Sequence, residues 1–300
     1  MTAVTGSAVD TAALTEIRAR EPGRIAAAWD ERTLRPLLPA DGRLLLVAAD
    51  HPARAALGVG ADPMAMASRT DLLARLTTAL ERPGVDGVLG TPDVLDDLLL
   101  LGALEGRVVI GSMNRGGLQG SAWELDDRFT GYTAREIRDR GLDGGKMLTR
   151  IALEDVGTVA TLEACARAVG ELASHGRMAM VEPFWSLVEA GRVRNLLDAD
   201  SVIRAVQVAS GLGPSSAHTW LKLPVVDDLA RVMDATTLPT LLLGGDPHEA
   251  PGQAQATWAG ALELPGVRGL VLGRALLYPP DGDVAAAVDA AAELVHGGAA

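Results

Sequence analysis

Lysine is the scarcest charged residue in this sequence. Only Lys146 and Lys222 are present, whereas the other 25 basic residues are arginine. A buried lysine amine can lose its proton and act as a nucleophile, but a guanidinium stays protonated. Both lysines lie in apolar, strand-like runs, where an unpaired cation is costly. The scarcity therefore favours a chemical role for the two lysines, with chance retention at the surface as the alternative.

Positive charge, cysteine and long apolar runs are also scarce. The net charge of −12 argues against nucleic acid as a partner, because phosphates require a basic surface. The single cysteine, Cys165, can form no internal disulfide, which fits a reducing cytoplasm. No run approaches the ~20 apolar residues that span a bilayer, and the first residues lack a signal-peptide pattern. We expect a cytoplasmic protein without a membrane partner.

The composition and the chain length allow one large domain. A hydrophobic fraction of 48% supports a substantial core, and no linker divides the 300 residues. Residues 1–10 are expected to form a tail, and residues 11–37 predict one or two amphipathic helices. We therefore assign 1–42 to an N-terminal tail with helices and 43–300 to a single domain.

Within that domain, short apolar runs alternate with amphipathic stretches. The predicted strands are 43–50, 85–92, 107–114, 144–153, 177–184, 218–226, 240–247 and 267–275. The predicted helices are 67–81 with Ser68 as its cap, 94–104, 133–140, 158–174, 186–210 with an interruption near Gly191, 227–235, 253–263 and 283–295. The longest irregular stretch is 115–132.

Eight strands, each followed by helical sequence, fit an α/β protein with a single (β/α)8 TIM barrel and an N-terminal helical extension. The strands are nearly continuous apolar runs, as expected when both faces are buried. An open doubly wound sheet is the alternative, but it predicts a glycine-rich phosphate turn after the first strand. The chain has Asp50-His51-Pro52 there instead.

Polar residues interrupt the strands mainly near their carboxyl ends, where barrels have their active sites. Asp50 ends the first strand, Glu182 lies in the fifth and Lys222 late in the sixth. Lys146 lies early in the fourth strand, with Arg150 on the same face about 13 Å nearer the mouth at ~3.3 Å per residue. The alternative for each carboxylate alone is a helix cap or a structural salt bridge, and for Asp50 taken singly that explanation is favoured. Together, the residues predict a catalytic pocket of Lys222, Lys146, Glu182 and Asp50, with Arg150 as an anion clamp.

The residue types indicate imine chemistry. A lysine amine that attacks a ketone forms an iminium, which accepts electrons when the neighbouring carbon–carbon bond breaks. Burial and a second cation both lower the pKa of such an amine, and Lys146 would be that cation for Lys222. The two amines then titrate as a coupled pair. Glu182 and Asp50 are the candidate acid–base groups.

Glycine-containing turns follow the seventh and eighth strands. Their sequences are Leu243-Gly244-Gly245-Asp246 and Leu272-Gly273-Arg274. Either turn alone is weak evidence, but barrels often bind phosphate at these two strand ends. We predict a phosphate site formed by Gly244, Gly245, Gly273 and Arg274.

In the order and strand placement of these residues, the chain resembles the class I aldolase superfamily of deoxyribose-phosphate, tagatose-bisphosphate and archaeal-type fructose-bisphosphate aldolases. The resemblance covers about residues 43–295 and is nearest to the tagatose-bisphosphate branch. That branch has an Asp ending strand one, a Lys early in strand four, a Glu in strand five and the Schiff-base Lys in strand six. The corresponding residues here are Asp50, Lys146, Glu182 in VEPF and Lys222 in WLKLP. The resemblance implies a metal-independent aldolase without a cofactor.

Two segments depart from the usual sugar-bisphosphate forms, DHPAR at strand one and GSMNRGGLQG after strand three. The first is similar to actinobacterial aldolase-like barrels associated with myo-inositol breakdown. That resemblance implies cleavage of 2-deoxy-5-keto-gluconate 6-phosphate to dihydroxyacetone phosphate and malonate semialdehyde. The substrate carboxylate would need a cation, for which Arg150, Arg115 and Arg54 are candidates. We also expect a homo-oligomer.

Three alternatives stay open. The chain is another sugar-phosphate aldolase, of the tagatose-bisphosphate, fructose-bisphosphate or deoxyribose-phosphate type, or a non-catalytic sugar-phosphate-binding barrel. A metal-dependent lyase is the third, because His51, His218, His248 and Asp246 lie near strand ends, although none shows a close ligand spacing. We instead expect His51 to orient Asp50 and His218 to begin a strand. Whether 115–132 closes as a lid is left open.

Overall fold

The computed structural model describes residues 9–244 and 251–297. The strands are β1 (Leu44–Ala48), β2 (Gly87–Gly90), β3 (Val108–Ser112), β4 (Gly144–Ile151), β5 (Met178–Glu189), β6 (Arg192–Asn195), β7 (Thr219–Leu223), β8 (Thr240–Leu243) and β9 (Val267–Leu272). The helices are α1 (Thr11–Arg20), α2 (Gly23–Glu31), α3 (Arg69–Glu81), α4 (Pro92–Leu100), α5 (Ala134–Asp139), α6 (Gly157–Ser174), α7 (Ala199–Ser210), α8 (Leu229–Asp234), α9 (Pro251–Leu262), α10 (Arg274–Leu277) and α11 (Val284–His296).

Eight of the strands close into a parallel barrel in the order β1-β2-β3-β4-β5-β7-β8-β9, with β9 pairing back onto β1. Leu44 and Leu46 belong to the cluster of apolar side chains inside the barrel, whereas Leu45 and Val47 join the larger cluster that includes the helices. Burial of both strand faces explains why the strands read as continuous apolar runs. The predicted single (β/α)8 barrel is confirmed.

The N-terminal segment runs along the outside of α3 and α4 and then reaches the amino end of the barrel. It forms the two helices α1 and α2, as the sequence predicts for 11–37. Arg32 is buried and donates to the carbonyl oxygens of Arg107 and Gly141, at 3.0 and 2.8 Å. Leu37 packs against the apolar cluster inside the barrel. The segment therefore covers apolar surface that the barrel strands alone would leave open.

The predicted helix 186–210 is wrong over its first part, because a β-hairpin takes its place. Strand β5 continues to Glu189 and returns as β6, with Glu189 paired to Arg192. Ala190 and Gly191 form the two-residue turn with φ of 50° and 74°. A turn with both central residues left-handed matches the twist of two antiparallel strands. Helical structure starts only with α7.

One further element differs from the prediction, and the long irregular stretch agrees with it. The short helix α10 is not predicted by the sequence, and Gly245, Asp246 and His248 lie outside the described residues. The stretch 115–132 contains no helix, and its one strand-like contact is an isolated bridge between Asn114 and Phe129. Within 9–244 and 251–297, no helix has the length and apolarity needed to cross a bilayer.

Candidate active site

The barrel brings the four predicted catalytic residues together at the carboxyl end of its strands. Asp50 follows β1, and Lys146, Glu182 and Lys222 lie on β4, β5 and β7. Their side chains come from four separate strands, so only the closed sheet can make them neighbours. All four residues are buried. Charged groups stay inside a protein only when they are paired, and the contacts among these side chains provide the pairing.

Glu182 lies between the two lysine amines. Lys222 Nζ donates to Glu182 Oε1 at 2.7 Å, and Lys146 Nζ pairs with the other oxygen, Oε2. Lys146 Nζ also lies 3.5 Å from Asp50 Oδ2. The result is a continuous row of alternating charges, Lys222–Glu182–Lys146–Asp50, along which each proton has a neighbouring acceptor.

Asp50 is fixed by groups from the end of β3. Arg115 Nη2 pairs with Asp50 Oδ2, and Ser112 Oγ donates to the same oxygen at 3.3 Å. Arg115 Nε in turn donates to Ser112 Oγ at 3.1 Å. Burial is the main reason that the pKa of Arg115 falls to about 10. Asp50 therefore faces a cation on each side, Arg115 and Lys146.

The pKa values of Lys146 and Glu182 are both lowered, but for different reasons. Burial, followed by the charge of Arg115, lowers the pKa of Lys146 well below its ordinary value, although Glu182 opposes this. Burial opposes ionisation of Glu182, but the charges of Lys146 and Lys222 outweigh it and hold the pKa of Glu182 well below its usual range. The carboxylate thus stays ionised, while Lys146 loses a proton more readily than an ordinary lysine.

His51 does not orient Asp50, contrary to expectation. Its Nδ1 atom lies 4.0 Å from Asp50 Oδ1, beyond hydrogen-bonding range, and has no hydrogen-bond partner among the described residues. Burial, and then the charges of Arg274 and Lys222, lower the pKa of His51 to about 3. The imidazole is therefore neutral near pH 7 and provides a polar group that adds no charge to the site.

A cavity of ≈ 210 Å³ opens onto this row of charges. Lys222, Glu182, Asp50 and His51 line it, and Lys146 does not. Its other lining residues are Ala48, Arg54, Arg115, Leu148, Phe184, Asn195, Leu243, Gly244, Val271, Gly273, Arg274 and Ala275. A molecule in the cavity would meet the amine of Lys222 directly.

Part of the predicted phosphate site also lines the cavity. Gly244, Gly273 and Arg274 are lining residues, whereas Gly245 lies outside the described residues. Arg274 Nη1 donates to the carbonyl oxygen of Gly58 at 3.2 Å. A Cβ atom on Gly273 would come within 2.7 Å of His51 Cε1 and 2.8 Å of the carbonyl oxygen of Ala48. Glycine is thus required at 273 for close packing against β1.

Arg150 lies apart from the cavity and anchors the 115–132 loop. Its Nε and Nη2 atoms donate to the two carboxylate oxygens of Asp127 at 2.8 and 2.6 Å, and its Nη1 atom lies 3.4 Å from Glu124 Oε1. Arg54 Nε holds the same loop through the carbonyl oxygen of Gly117, at 2.9 Å. These contacts differ from the predicted anion clamp, because the guanidinium of Arg150 is already engaged by two carboxylates.

The hairpin contributes two cavity residues that the sequence does not identify, Phe184 and Asn195. Ser186 Oγ donates to Asn195 Oδ1 at 2.8 Å across the β5–β6 pair. This hydrogen bond ties the Asn195 side chain to β5 at the edge of the cavity. The sequence signal for the hairpin is the pair of valines, Val188 and Val193, on either side of Ala190-Gly191. The spacing of apolar residues in this segment fits a helix equally well, so the signal is not decisive.

Of the residues considered for a metal, the two that the structure describes, His51 and His218, do not converge. His218 immediately precedes β7, at the end of the barrel opposite His51, and Asp246 and His248 lie outside the described residues. Within the described part of the chain, no group of three or more His, Cys, Asp or Glu side chains has an arrangement that would hold a metal ion. The strand that the sequence predicts to begin at His218 begins one residue later, at Thr219.

Comparisons with known proteins identify a family and a fold. The family model described as Cgl0159-like matches residues 42–292. The crystal structure of Cgl0159 from Corynebacterium glutamicum (Brevibacterium flavum) has 56% sequence identity and a TM-score of 0.93, covering 96% of this chain and 97% of that one.

Archaeal aldolases share the fold at low identity. An archaeal fructose 1,6-bisphosphate aldolase has 18% identity and a TM-score of 0.65, covering 87% of this chain and 96% of that one. An archaeal fructose-1,6-bisphosphate aldolase with the catalytic Lys covalently bound to the carbinolamine intermediate has 19% identity and a TM-score of 0.65, covering 86% and 96% of the two chains. No curated protein gives a significant sequence match.

Proposed function

The chain belongs to the Cgl0159-like family, and we propose that it is a class I aldolase that cleaves a phosphorylated keto sugar or keto sugar acid through a Schiff base on Lys222. The observation that carries the proposal is the sharing of Glu182 between the amines of Lys222 and Lys146 at the edge of a cavity. Purely structural ion pairs do not require two lysines in a chain that otherwise uses arginine. The fold likeness to archaeal aldolases is consistent with this chemistry.

Access supports Lys222, rather than Lys146, as the nucleophile. Lys222 lines the cavity, whereas Lys146 lies behind Glu182 with a side chain only 1% exposed. A ketone in the cavity can therefore approach the first amine without displacing other groups. We assign to Lys146, whose pKa is lowered, the role of a proton-exchange partner: it takes a proton from Lys222 through Glu182, becomes the second cation and leaves the Lys222 amine neutral.

The proposed reaction proceeds through an iminium on Lys222. Its neutral amine adds to the substrate ketone, and the carbinolamine loses its hydroxyl group as water. A base then takes the proton of the hydroxyl group on the β-carbon, the carbon–carbon bond breaks, and the electron pair neutralises the iminium to give an enamine. Protonation of the enamine carbon and addition of water release the second product and restore the amine.

The neighbouring groups divide the proton transfers. Glu182 lies within hydrogen-bonding distance of Lys222 Nζ and is also paired with Lys146, so it can pass a proton between the amines. Its lowered pKa keeps it an acceptor at neutral pH. Asp50, paired with Arg115 and facing the cavity, is the proposed acid–base group toward the substrate hydroxyl groups.

The cavity suits a substrate with an anion at each end. We assign the phosphate to Gly244, Gly273 and Arg274, and a second anion to the guanidinium groups of Arg54 and Arg115. The proposed substrate is 2-deoxy-5-keto-gluconate 6-phosphate, whose C5 ketone would bind Lys222. Cleavage between C3 and C4 then gives malonate semialdehyde and dihydroxyacetone phosphate, a reaction of myo-inositol catabolism.

A coupled assay tests the activity. The purified chain is incubated with 2-deoxy-5-keto-gluconate 6-phosphate, fructose 1,6-bisphosphate, tagatose 1,6-bisphosphate or deoxyribose 5-phosphate, and the released triose phosphate is followed through an NADH-dependent dehydrogenase. We expect turnover that persists in EDTA and is fastest with the carboxylated substrate. Turnover of a bisphosphate alone would change the substrate assignment. Loss of turnover in EDTA would contradict a metal-independent reaction. Tight binding of a sugar phosphate without turnover would contradict the aldolase activity.

A further inference from the structure

Exposed apolar side chains gather on one side of the barrel mouth. Leu153, Val156 and Val159 lie between the end of β4 and the first turn of α6, and Val188 and Leu197 lie on the adjacent hairpin and just after it. Their exposure ranges from 56% for Leu197 to 91% for Val156. These residues are called the rim patch below. Single exposed apolar residues are ordinary, but a contiguous group usually marks an interaction site.

The rim patch borders a groove. The groove has a volume of ≈ 480 Å³ and runs between the loop after β4 and the β5–β6 hairpin. Trp185, Leu187 and Leu196 line it together with rim-patch members. This surface therefore has an apolar groove and, beside it, protruding valine and leucine side chains. A docking contact needs both, since the side chains of one surface fill the groove of the other.

The charges around the rim patch are of both signs. Glu154, Asp155 and Glu189 carry negative charge, and Arg192 and Arg194 carry positive charge. The whole chain has a net charge of −12, so most pairs of its surfaces would repel one another. This region is close to neutral and offers both charges within a few residues.

We propose that the rim patch is the contact surface for a second copy of this chain. In a twofold dimer each surface meets its own copy, so the surface must be self-complementary. The rim patch carries both halves of such a contact, because its protruding side chains lie beside an apolar groove, and the acidic residues Glu154 and Asp155 lie on the same surface as Arg192. Arg194 is already paired with Glu189 on the hairpin. A nucleic acid or an anionic membrane would require a basic excess instead.

Association at this surface would also act on the cavity. The hairpin that carries Val188 outside carries Phe184 and Asn195 toward the cavity, and the Ser186–Asn195 hydrogen bond joins its two strands. A partner that packs against the outer face would restrict the hairpin and so hold Asn195 in place. This consequence rests on the proposed aldolase activity, whereas the association itself does not.

The test substitutes Leu153→Asp and Val156→Asp together. Both side chains are exposed, so we expect the double variant to fold, which circular dichroism would verify. Neither side chain lines the catalytic cavity. Sedimentation velocity over a range of concentrations measures self-association of the wild type and the double variant. Leu34→Asp is the matched control, because Leu34 is also an exposed leucine, at 55%, but lies in the N-terminal segment.

We expect the wild type and Leu34→Asp to form dimers with similar dissociation constants. The dissociation constant of the double variant should be at least about 100-fold higher, because each aspartate would be buried in the contact without a partner. Hydrogen–deuterium exchange should show concentration-dependent protection of 152–159 and 185–197 in the wild type. A monomeric wild type would overturn the proposal, as would an unchanged dimer of the double variant. Binding of a monomeric wild type to phosphatidylcholine vesicles would assign the rim patch to a lipid surface instead.

Discussion

The amines of Lys146 and Lys222 are held by different oxygens of one carboxylate, that of Glu182. The three buried groups can exchange protons without contact with bulk water. One amine faces a cavity and the other lies behind the carboxylate, so the pair is asymmetric with respect to any ligand. This asymmetry is what the proposed division of roles, a nucleophile and a supporting amine, requires.

Replacement of Lys222 by arginine should separate charge from chemistry. Lys222→Arg keeps a cation beside Glu182 but cannot form a Schiff base. We expect an intact fold by circular dichroism and a kcat lowered at least about 10⁴-fold, because removal of a covalent catalyst leaves only substrate binding and positioning. Retention of measurable turnover by this variant would mean that Lys222 acts only as a cation.

Loss of the carboxylate should destabilise the fold in a pH-dependent way. Glu182→Gln leaves two buried lysines without their shared counter-ion, which we expect to cost about 3 kcal/mol of unfolding free energy at pH 7. Because the pKa of Glu182 is well below its ordinary value, its contribution is fully present above about pH 4.3 and is lost on acidification through the lowered pKa. Urea unfolding of both proteins across this range measures it. A constant difference down to the lowest pH would contradict the charge argument.

Replacement of Arg150 by lysine should loosen the 115–132 loop. Lysine cannot reproduce the two parallel hydrogen bonds from Arg150 to Asp127. We expect faster amide exchange across the loop and a kcat/KM lowered by about tenfold, because this loop carries Arg115 to Asp50. The control is Arg128→Lys, since Arg128 lies on the same loop in an exposed pair with Asp126. Equal exchange in the two variants would show that Arg150 does not anchor the loop.

His296 should make stability fall at alkaline pH. It lies at the end of α11, with its ring 3.3 Å from Asp86 and 2.5 Å from Asp41, and the interaction with Asp86 is the main reason that its pKa rises to about 9. A raised pKa stabilises the fold fully below about pH 6.5, and this contribution disappears as the pH rises through about 9.

We therefore expect His296→Gln to lower the unfolding free energy by about 2 kcal/mol at pH 6 and by little at pH 10, as measured by urea unfolding. His175→Gln is the control, because no ion pair is found for His175 among the described residues. An equal effect of the His296 substitution at both pH values would mean that it acts by packing alone.

Much of the barrel could be predicted because its strands are local features of the sequence. Runs such as residues 43–50 and 218–226 are apolar at nearly every position, which periodicity alone detects. The cap of α3 was predictable for the same reason, and Ser68 Oγ accepts from the backbone N–H of Asp71. Lys146, Glu182 and Lys222 then follow from strand order, since a barrel brings strand ends together.

Features that depend on distant contacts could not be predicted. Segment 185–195 has residues that suit a helix, and only the pairing of β5 with β6 decides its conformation. Arg150 has the correct strand face for an anion clamp, but the carboxylates that engage it come from residues 23 and 26 positions earlier. Asn195 enters the cavity only because the hairpin exists. Such tertiary contacts override local preference.

Borohydride trapping with dihydroxyacetone phosphate tests the central claim most directly. Reduction of a Schiff base attaches the ligand permanently to the reacting lysine, and trypsin no longer cleaves there. We predict an adduct in the peptide 205–231, with Lys222 uncleaved, and no adduct in Lys222→Arg. An adduct in peptide 141–150 would transfer the role to Lys146, and the absence of any adduct would contradict the aldolase mechanism.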